Sequence, residues 1–159
     1  MTTNKKNKDM TMSDAGIVML KGLEGVGGKP VLKAYWDYKG WSIGYGHFGA
    51  REGQRITAEE AERLLREDVR KVEREVNGMG VVLQQCQFDA LTSLVYNIGS
   101  GQFRGSTVRR LVLESAAPRE ALEEAWFRWN KVTVNGHLQV SAALGARRSK
   151  EYARYCGRS

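Results

Sequence analysis

The sequence has few prolines and cysteines, only two histidines, and no long apolar run. Two prolines and evenly spread charges argue against long disordered linkers, and there is neither an internal repeat nor a low-complexity block. The cysteines, Cys86 and Cys156, lie far apart without metal-ligand spacing, so free thiols are favoured over a disulfide. The apolar stretch from Ile17 to Leu20 is too short for a signal peptide or a membrane span. If the substrate lies outside the cytoplasm, something else must release this protein.

The 159 residues suffice for one domain, and 42% of them are hydrophobic, enough to bury a core without a disulfide or metal. The net charge of +7 favours an anionic partner: nucleic acid, anionic lipid or a cell wall. A basic surface that only aids solubility is the alternative. The basic residues are scattered and form no recognised nucleic-acid motif, so no nucleic-acid partner is predicted. We expect no metal or organic cofactor, because there is no ligand cluster and no phosphate-binding loop.

The first half of the chain predicts one helix, a small sheet and a long helix. The first helix begins after Ser13, a typical N-cap, and ends with Glu24 before the glycine-rich turn GVGG. The aromatic and β-branched segment that follows predicts two or three short strands, with YKG as a turn after Asp37. Thr57 and Glu60 form a capping box that starts a long amphipathic helix ending at Asn77-Gly78.

The second half predicts helices only. A central helix covers about residues 83–98, Ser106 caps a short helix, Pro118 starts another, and a final helix spans 141–155 with one basic side. The segment around His137 is predicted to be a loop. The fold class is therefore α+β, mainly helical with one small early sheet. The domain prediction is a polar extension over residues 1–12 and one domain over 13–159, divided into a helix-and-sheet lobe (13–56), a connecting helix (57–78) and a helical lobe (79–159).

Glu24, Asp37 and Ser42 are the candidate catalytic residues. A glycosidase needs one carboxylic acid that holds a proton and a second group that stays ionised or orients water. The C-terminal end of a helix is an electrostatically poor place for a carboxylate, which suits Glu24 to the first role. Asp37 and the Ser42 hydroxyl are suited to the second. The alternative is that Glu24 is an ordinary surface residue and Asp37 a turn residue, and spacing alone does not decide.

Several motifs in order resemble the phage endolysins of glycoside hydrolase family 24. Leu23-Glu24-Gly25, then AYWDYKGWSIGYGH, match the family's first helix and sheet. TAEEAERLLREDV resembles its long helix, and FDALTSLVYNIG, FRGST and RWN resemble its helical lobe, so the resemblance covers roughly residues 13–155. The sequence departs from the family in three ways: extra residues in GVGGKP lengthen the gap from Glu24 to Asp37, the gap from Asp37 to Ser42 is one residue shorter, and Ser42 replaces the usual Thr.

The resemblance implies hydrolysis of the β-1,4 bond between N-acetylmuramic acid and N-acetylglucosamine in bacterial peptidoglycan, causing host cell lysis. Glu24 is the implied general acid, with Asp37 and Ser42 stabilising charge or holding the attacking water. His47 and Asp68 form an implied structural ion pair, and Arg147 or Arg148 pairs with Glu24. Substrate contacts are implied for Phe48, Tyr96 and Ser106. The equal alternative for each of them is a structural role in the core or as a helix cap. The enzyme is expected to be a monomer, kept in the host cytoplasm until a separate permeabilising protein releases it to the wall.

Two rival functions stay open at this stage. A lytic transglycosylase would use Glu24 alone and release an anhydro-sugar. A non-catalytic basic module would bind the cell wall or an anionic membrane through the C-terminal helix, with the basic residues Arg147, Arg148, Lys150, Arg154 and Arg158. Among the tryptophans, Trp36 and Trp41 are better candidates for stacking on a sugar than Trp126 and Trp129, whose helical spacing is typical of a core.

Overall fold

The structure, a computed structural model, describes residues 9–114 and 116–158. In these ranges the elements are, in chain order, α1 (Asp14–Glu24), β1 (Val31–Asp37), β2 (Gly40–Gly44), β3 (His47–Ala50), α2 (Ala58–Asn77), α3 (Gln85–Ile98), α4 (Ser100–Arg104), α5 (Thr107–Leu113), α6 (Arg119–Phe127), β4 (Lys131–Val134), β5 (His137–Val140) and α7 (Ala142–Tyr155). The bounds of the first, long, central and final helices agree with the sequence prediction to within about two residues. Most of the predicted extension over residues 1–12 lies outside the described residues.

The start of α1 is tied to the centre of the molecule. The Ser13 hydroxyl accepts from Gly16 N and donates to Asp89 of α3, whose carboxylate is fully buried. A Cβ at position 16 would lie 2.6 Å from Asp89 Cγ, so only glycine admits this approach. Arg154 of α7 donates to the same carboxylate at 2.7 Å. Three helices that are distant in sequence therefore meet at one charged group.

The connecting helix α2 carries a narrow apolar stripe and packs it on the central helix α3. Thr57 caps it by accepting from Glu60 N, but the reciprocal half of the predicted capping box is not formed. The buried positions along α2 include Ala61, Leu65, Val69 and Val76. On the same helix Glu73 accepts from Met12 N at 2.6 Å, and Met12 is itself buried in the core. The packed part of the chain thus begins before residue 13.

A second, two-stranded sheet is present where the sequence predicted a loop. Strands β4 and β5 form an antiparallel hairpin, and His137 is the first residue of β5. Asn135 and Gly136 both have positive φ angles, 51° and 80°, the backbone that a two-residue type I′ turn requires. All eight strand residues are exposed, so the alternation of buried and exposed side chains that normally reveals a strand is absent. In the sequence, the Asn135-Gly136 pair is the feature that indicates this hairpin.

The first sheet has the order β1-β2-β3 and is antiparallel throughout. Trp36 pairs with Trp41 and Asp37 with Gly40, so Tyr38 and Lys39 form the tight turn that the sequence predicted. No helix in the described ranges combines the length and the apolar character needed to cross a membrane.

Candidate active site

Glu24 is the last residue of α1, and its carboxylate is bound by Arg147 of α7. Arg147 Nη1 donates to Glu24 Oε1 at 2.5 Å, so of the two arginines left open by the sequence it is Arg147 that pairs with the acid. The Glu24 side chain is 19% exposed and that of Arg147 is 7% exposed. The C-terminal end of a helix carries a partial negative charge, which disfavours a carboxylate there. The largely buried guanidinium of Arg147 supplies a compensating positive charge next to Glu24.

The turn after Glu24 is a miniature hairpin that leaves no room for a side chain at Gly25. Val26 and Lys29 exchange two backbone hydrogen bonds around Gly27 and Gly28, which both have positive φ angles. A Cβ at position 25 would lie 2.6 Å from the Lys29 carbonyl oxygen. Gly25 itself has φ of −83°, so it is required by this close approach and not by its backbone angles.

We expect Gly25→Ala to reduce activity on peptidoglycan about tenfold and to lower the free energy of unfolding by about 1–3 kcal/mol, the usual cost of overpacking. The added methyl must displace backbone atoms directly beside Glu24. Gly22→Ala is the matched control, because a Cβ there meets nothing within 4 Å. At that helical position alanine should stabilise by about 0.5–1 kcal/mol and leave activity unchanged. Thermal unfolding and turbidity assays of both variants test this, and a fully active Gly25→Ala would contradict it.

Asp37, Ser42 and Phe48 share one face of the first sheet. Tyr35 pairs with Ser42, and Ser42 pairs with Phe48 across the next strand, which places the three on one face; Asp37, two residues after Tyr35, joins them. Asp37 is exposed, Ser42 is buried, and Phe48 is 59% exposed. Burial raises the pKa of Tyr35, and the Asp37 carboxylate two residues along the same strand raises it further.

The sheet tryptophans lie on the opposite face. Trp36 and Trp41 are register partners and meet edge to face at 5.7 Å between ring centroids. Because successive residues of a strand point to opposite sides, neither ring shares the face of Asp37 and Ser42. The predicted stacking of Trp36 and Trp41 on a sugar would therefore take place on the sheet face opposite Asp37 and Ser42.

The His47–Asp68 pair joins the sheet to α2, and Tyr96 of α3 interacts electrostatically with Asp68 and with Glu24. His47 Nδ1 of β3 lies 2.8 Å from Asp68 Oδ2 of α2, the contact that the family resemblance implied. Burial raises the pKa of the Tyr96 hydroxyl, and the carboxylates of Glu24 and Asp68 raise it further. This electrostatic influence of Glu24 is consistent with the predicted substrate contact of Tyr96.

Ser106 has a different set of contacts. Its hydroxyl accepts from Arg109 N at 3.1 Å and donates to the Phe103 carbonyl at 2.7 Å, as the N-cap of α5. The residue is 8% exposed. These contacts match the cap alternative, and they involve none of the other candidate site residues.

Sequence reasoning missed a buried polar cluster behind Arg147. Glu151, fully buried on α7, accepts from Arg147 Nε at 3.1 Å and from Ser93 Oγ at 2.6 Å. Arg148, also fully buried, donates to Asn97 Oδ1, and burial lowers the pKa of its guanidinium. An Arg-Arg-x-x-Glu run is ordinary on helices, and the i, i+3 and i, i+4 spacings fit an exposed ion pair just as well.

The same burial corrects the prediction of a basic face on the final helix. Arg147 is 6% and Arg148 0% exposed, and Arg154 is paired with Asp89, so these three arginines point into the protein. Their charge serves internal ion pairs and is not presented to a membrane or wall. The alternative function as a basic binding module therefore loses its main support, the basic face of the final helix.

A groove of about 610 Å³ opens next to this cluster, between the end of α3 and the β4–β5 hairpin. Asn97, which binds Arg148, and Trp129 are among its lining residues. Trp129 packs partly on the core, as its helical spacing predicted, but it also presents surface to the groove.

The chain is similar to known proteins both in sequence and in fold. The phage lysozyme profile matches residues 21–151. The endolysin of Bacillus phage PZA is 41% identical over 148 residues, covering 91% of this chain but 54% of that protein. The endolysin of Acyrthosiphon pisum secondary endosymbiont phage 1 is 37% identical over 147 residues, covering 91% of this chain and 97% of that protein. Among solved structures, the muramidase domain of SpmX from Asticaccaulis excentricus has a TM-score of 0.83 at 39% identity, covering 92% of this chain and 98% of that domain.

The chain belongs to the phage lysozyme family. The predicted α+β lysozyme fold is confirmed by the likeness to solved structures, and the predicted class, a lysozyme-type glycoside hydrolase, is confirmed at the level of the family. The chain spans about half the length of the PZA endolysin and nearly all of the endosymbiont phage endolysin. In this phage lysozyme the Glu24-Gly25 motif sits at the end of α1, and its carboxylate faces Arg147.

Proposed function

We propose that this phage lysozyme hydrolyses the β-1,4 bond between N-acetylmuramic acid and N-acetylglucosamine in bacterial peptidoglycan, with Glu24 as the general acid. The observation that carries the proposal is the Glu24 carboxylate, partly open to solvent and bound at Oε1 by a largely buried guanidinium. Oε1 is the only oxygen of this carboxylate with a hydrogen bond in the described ranges. Oε2 is left to hold a proton for the departing glycosidic oxygen.

The proposed reaction divides the work between the helix end and the sheet. Glu24 protonates the glycosidic oxygen while positive charge develops on the sugar ring. Asp37 stabilises that charge or, with Ser42, holds the attacking water. Asp37 and Ser42 lie on one face of the sheet, with the phenol of Tyr35 on the same face. This arrangement of polar groups supports a role in holding a water. Phe48 on the same face and Tyr96 near Glu24 are the proposed substrate contacts, whereas Ser106 is better explained as a cap.

We infer that part of the glycan lies in the groove beside Asn97 and Trp129, because this groove adjoins the buried cluster through Asn97. Its volume of about 610 Å³ suits a sugar residue, and it combines an indole with amide side chains. Release to the wall by a separate permeabilising protein stays a prediction of the family resemblance, as does lysis of the host.

Product analysis tests the reaction directly. We expect purified peptidoglycan to yield muropeptides with a reducing N-acetylmuramic acid end, detected by mass spectrometry. Products lighter by one water carry an anhydro end and would establish the transglycosylase instead, while no release of muropeptides would leave only a binding role.

Stereochemistry gives a second test on the same digests. Inversion is expected, because family members of this kind are taken to place a water between sugar and base. NMR of the first-formed products should then show the α-anomer, and the β-anomer would contradict this part of the mechanism.

A further inference from the structure

Glu151 is the centre of the buried polar cluster behind the catalytic acid. Its carboxylate is 0% exposed and accepts from three side chains on three helices: Arg147 Nε at 3.1 Å, Ser93 Oγ at 2.6 Å and Trp126 Nε1 at 3.4 Å. Arg148 Nε lies 3.2 Å from Glu151 Oε1 as an ion pair without hydrogen-bond geometry. A buried carboxylate with this many partners is fixed in place.

Arg147 transmits that fixed position to Glu24. Each nitrogen of its guanidinium has a partner: Nε donates to Glu151, Nη1 to Glu24, and Nη2 to the Ser93 carbonyl at 3.1 Å. The planar guanidinium is thus held from its inner side by Glu151 and Ser93 while its outer nitrogen reaches the acid. Any rotation of Arg147 changes where the Glu24 carboxylate can sit.

The negative charge of Glu151 makes the positive and negative charges of the cluster equal in number. Arg147 and Arg148 carry two positive charges, and Glu24 and Glu151 carry two negative charges when ionised. In a variant without the charge of Glu151, the positive charges of Arg147 and Arg148 would be opposed within the cluster by Glu24 alone, and two cations near one carboxylate favour its charged form.

We propose that Glu151 is a positioning residue of the hydrolase: it orients Arg147 and balances Arg148, so that Glu24 keeps both the direction and the proton that a general acid needs. The inference rests on the proposed function of Glu24. It assigns a catalytic consequence to a residue that has no access to substrate.

Asp89 supplies a matched control. It too is a fully buried carboxylate between α3 and α7, with an arginine partner, Arg154, at 2.7 Å. Its other donors are Ser13, at the end of α1 opposite Glu24, and Gln85, and within the described residues none of these side chains contacts Glu24 or Arg147. Asp89→Asn therefore removes a buried charge of the same kind without touching the cluster.

The test measures kcat, KM and the pH profile of peptidoglycan hydrolysis for Glu151→Gln. We expect kcat to fall about tenfold with KM within about twofold, since the loss is one of orientation. The alkaline limb of the profile should move to lower pH, because the acid loses its proton more readily. Asp89→Asn should lower the unfolding temperature while its kcat and pH limb match the wild type.

The double variant Arg148→Met with Glu151→Gln separates charge from orientation. It removes one cation and one anion, so the alkaline limb should return towards the wild-type position while kcat stays reduced. Because it leaves no uncompensated buried charge, it is also the variant to use if Glu151→Gln does not fold.

Three results would overturn the inference: a folded Glu151→Gln with wild-type kcat and pH limb, the same changes in Asp89→Asn, or a double variant with wild-type kcat. Glu24→Gln in the same assay distinguishes the two levels of failure. If Glu24→Gln is active, the proposed function itself fails. If Glu24→Gln is inactive and Glu151→Gln behaves as wild type, only the positioning role fails.

Discussion

Replacing Glu24 by Gln is expected to reduce the rate of peptidoglycan hydrolysis by roughly a hundredfold to ten-thousandfold, the usual contribution of a general acid. The glutamine side chain keeps the size of the carboxylic acid and an oxygen that can accept from Arg147. It holds no proton acidic enough to give to a departing sugar oxygen. The loss should therefore appear in kcat, measured by turbidity of purified walls, with the fold preserved in circular dichroism.

Glu75→Gln is the control for this variant. Glu75 is also a largely shielded glutamate, 17% exposed, bound by an arginine, and the hydrogen bond from Arg104 holds its pKa below its usual range. It lies on α2, and its side-chain hydrogen bonds in the described part of the chain come from Arg104, which is outside the candidate site. We expect a small loss of stability and full activity. Comparable activity in the two glutamine variants would remove Glu24 from the mechanism.

Asp37→Asn is expected to slow hydrolysis by roughly a hundredfold, a typical loss for one group that stabilises developing charge. The effect should be smaller than for Glu24 because Asp37 is exposed at the end of β1, where water screens its charge. Asparagine keeps the turn and can still orient a water weakly, so activity should be reduced and not abolished. Rates on purified peptidoglycan over a range of pH provide the measurement.

Asp14→Asn controls for the loss of an exposed carboxylate. Asp14 is 97% exposed, in the first turn of α1, and pairs with Arg66 at 3.2 Å. Its variant should hydrolyse peptidoglycan at the wild-type rate. If Asp37→Asn does the same, the reaction depends on Glu24 without Asp37, and the products should then be examined for the anhydro ends that a lytic transglycosylase leaves.

Much of the fold is local enough to be predicted from the sequence. Ser13 and Thr57 are N-caps because a hydroxyl there satisfies a free backbone N–H, and each does so in the structure. The apolar positions of α2 repeat with the helical period and are buried. The β4–β5 hairpin was missed because its strands bury nothing, so only its Asn-Gly turn marked it.

The candidate site could be predicted only in part. The motif around Glu24, Asp37, Ser42 and His47 lies in 24 consecutive residues, where the order of helix, turn and strands already restricts the geometry. Nothing in the sequence chose between Arg147 and Arg148, more than a hundred residues away. Neither did it single out Glu151, because an arginine–glutamate spacing on a helix looks the same whether it faces water or the core.

The amino-acid sequence by itself determined the helix that ends at Glu24, the small sheet that presents Asp37, and the long helix α2, because caps, turns and periodicity act over a few residues. The packing of α7 against α3 and α1 decided which arginine meets the acid and which carboxylate stands behind it. Arg147, Arg148 and Glu151 form one connected group of ion pairs because they are buried together, and their burial depends on the packing of the whole chain.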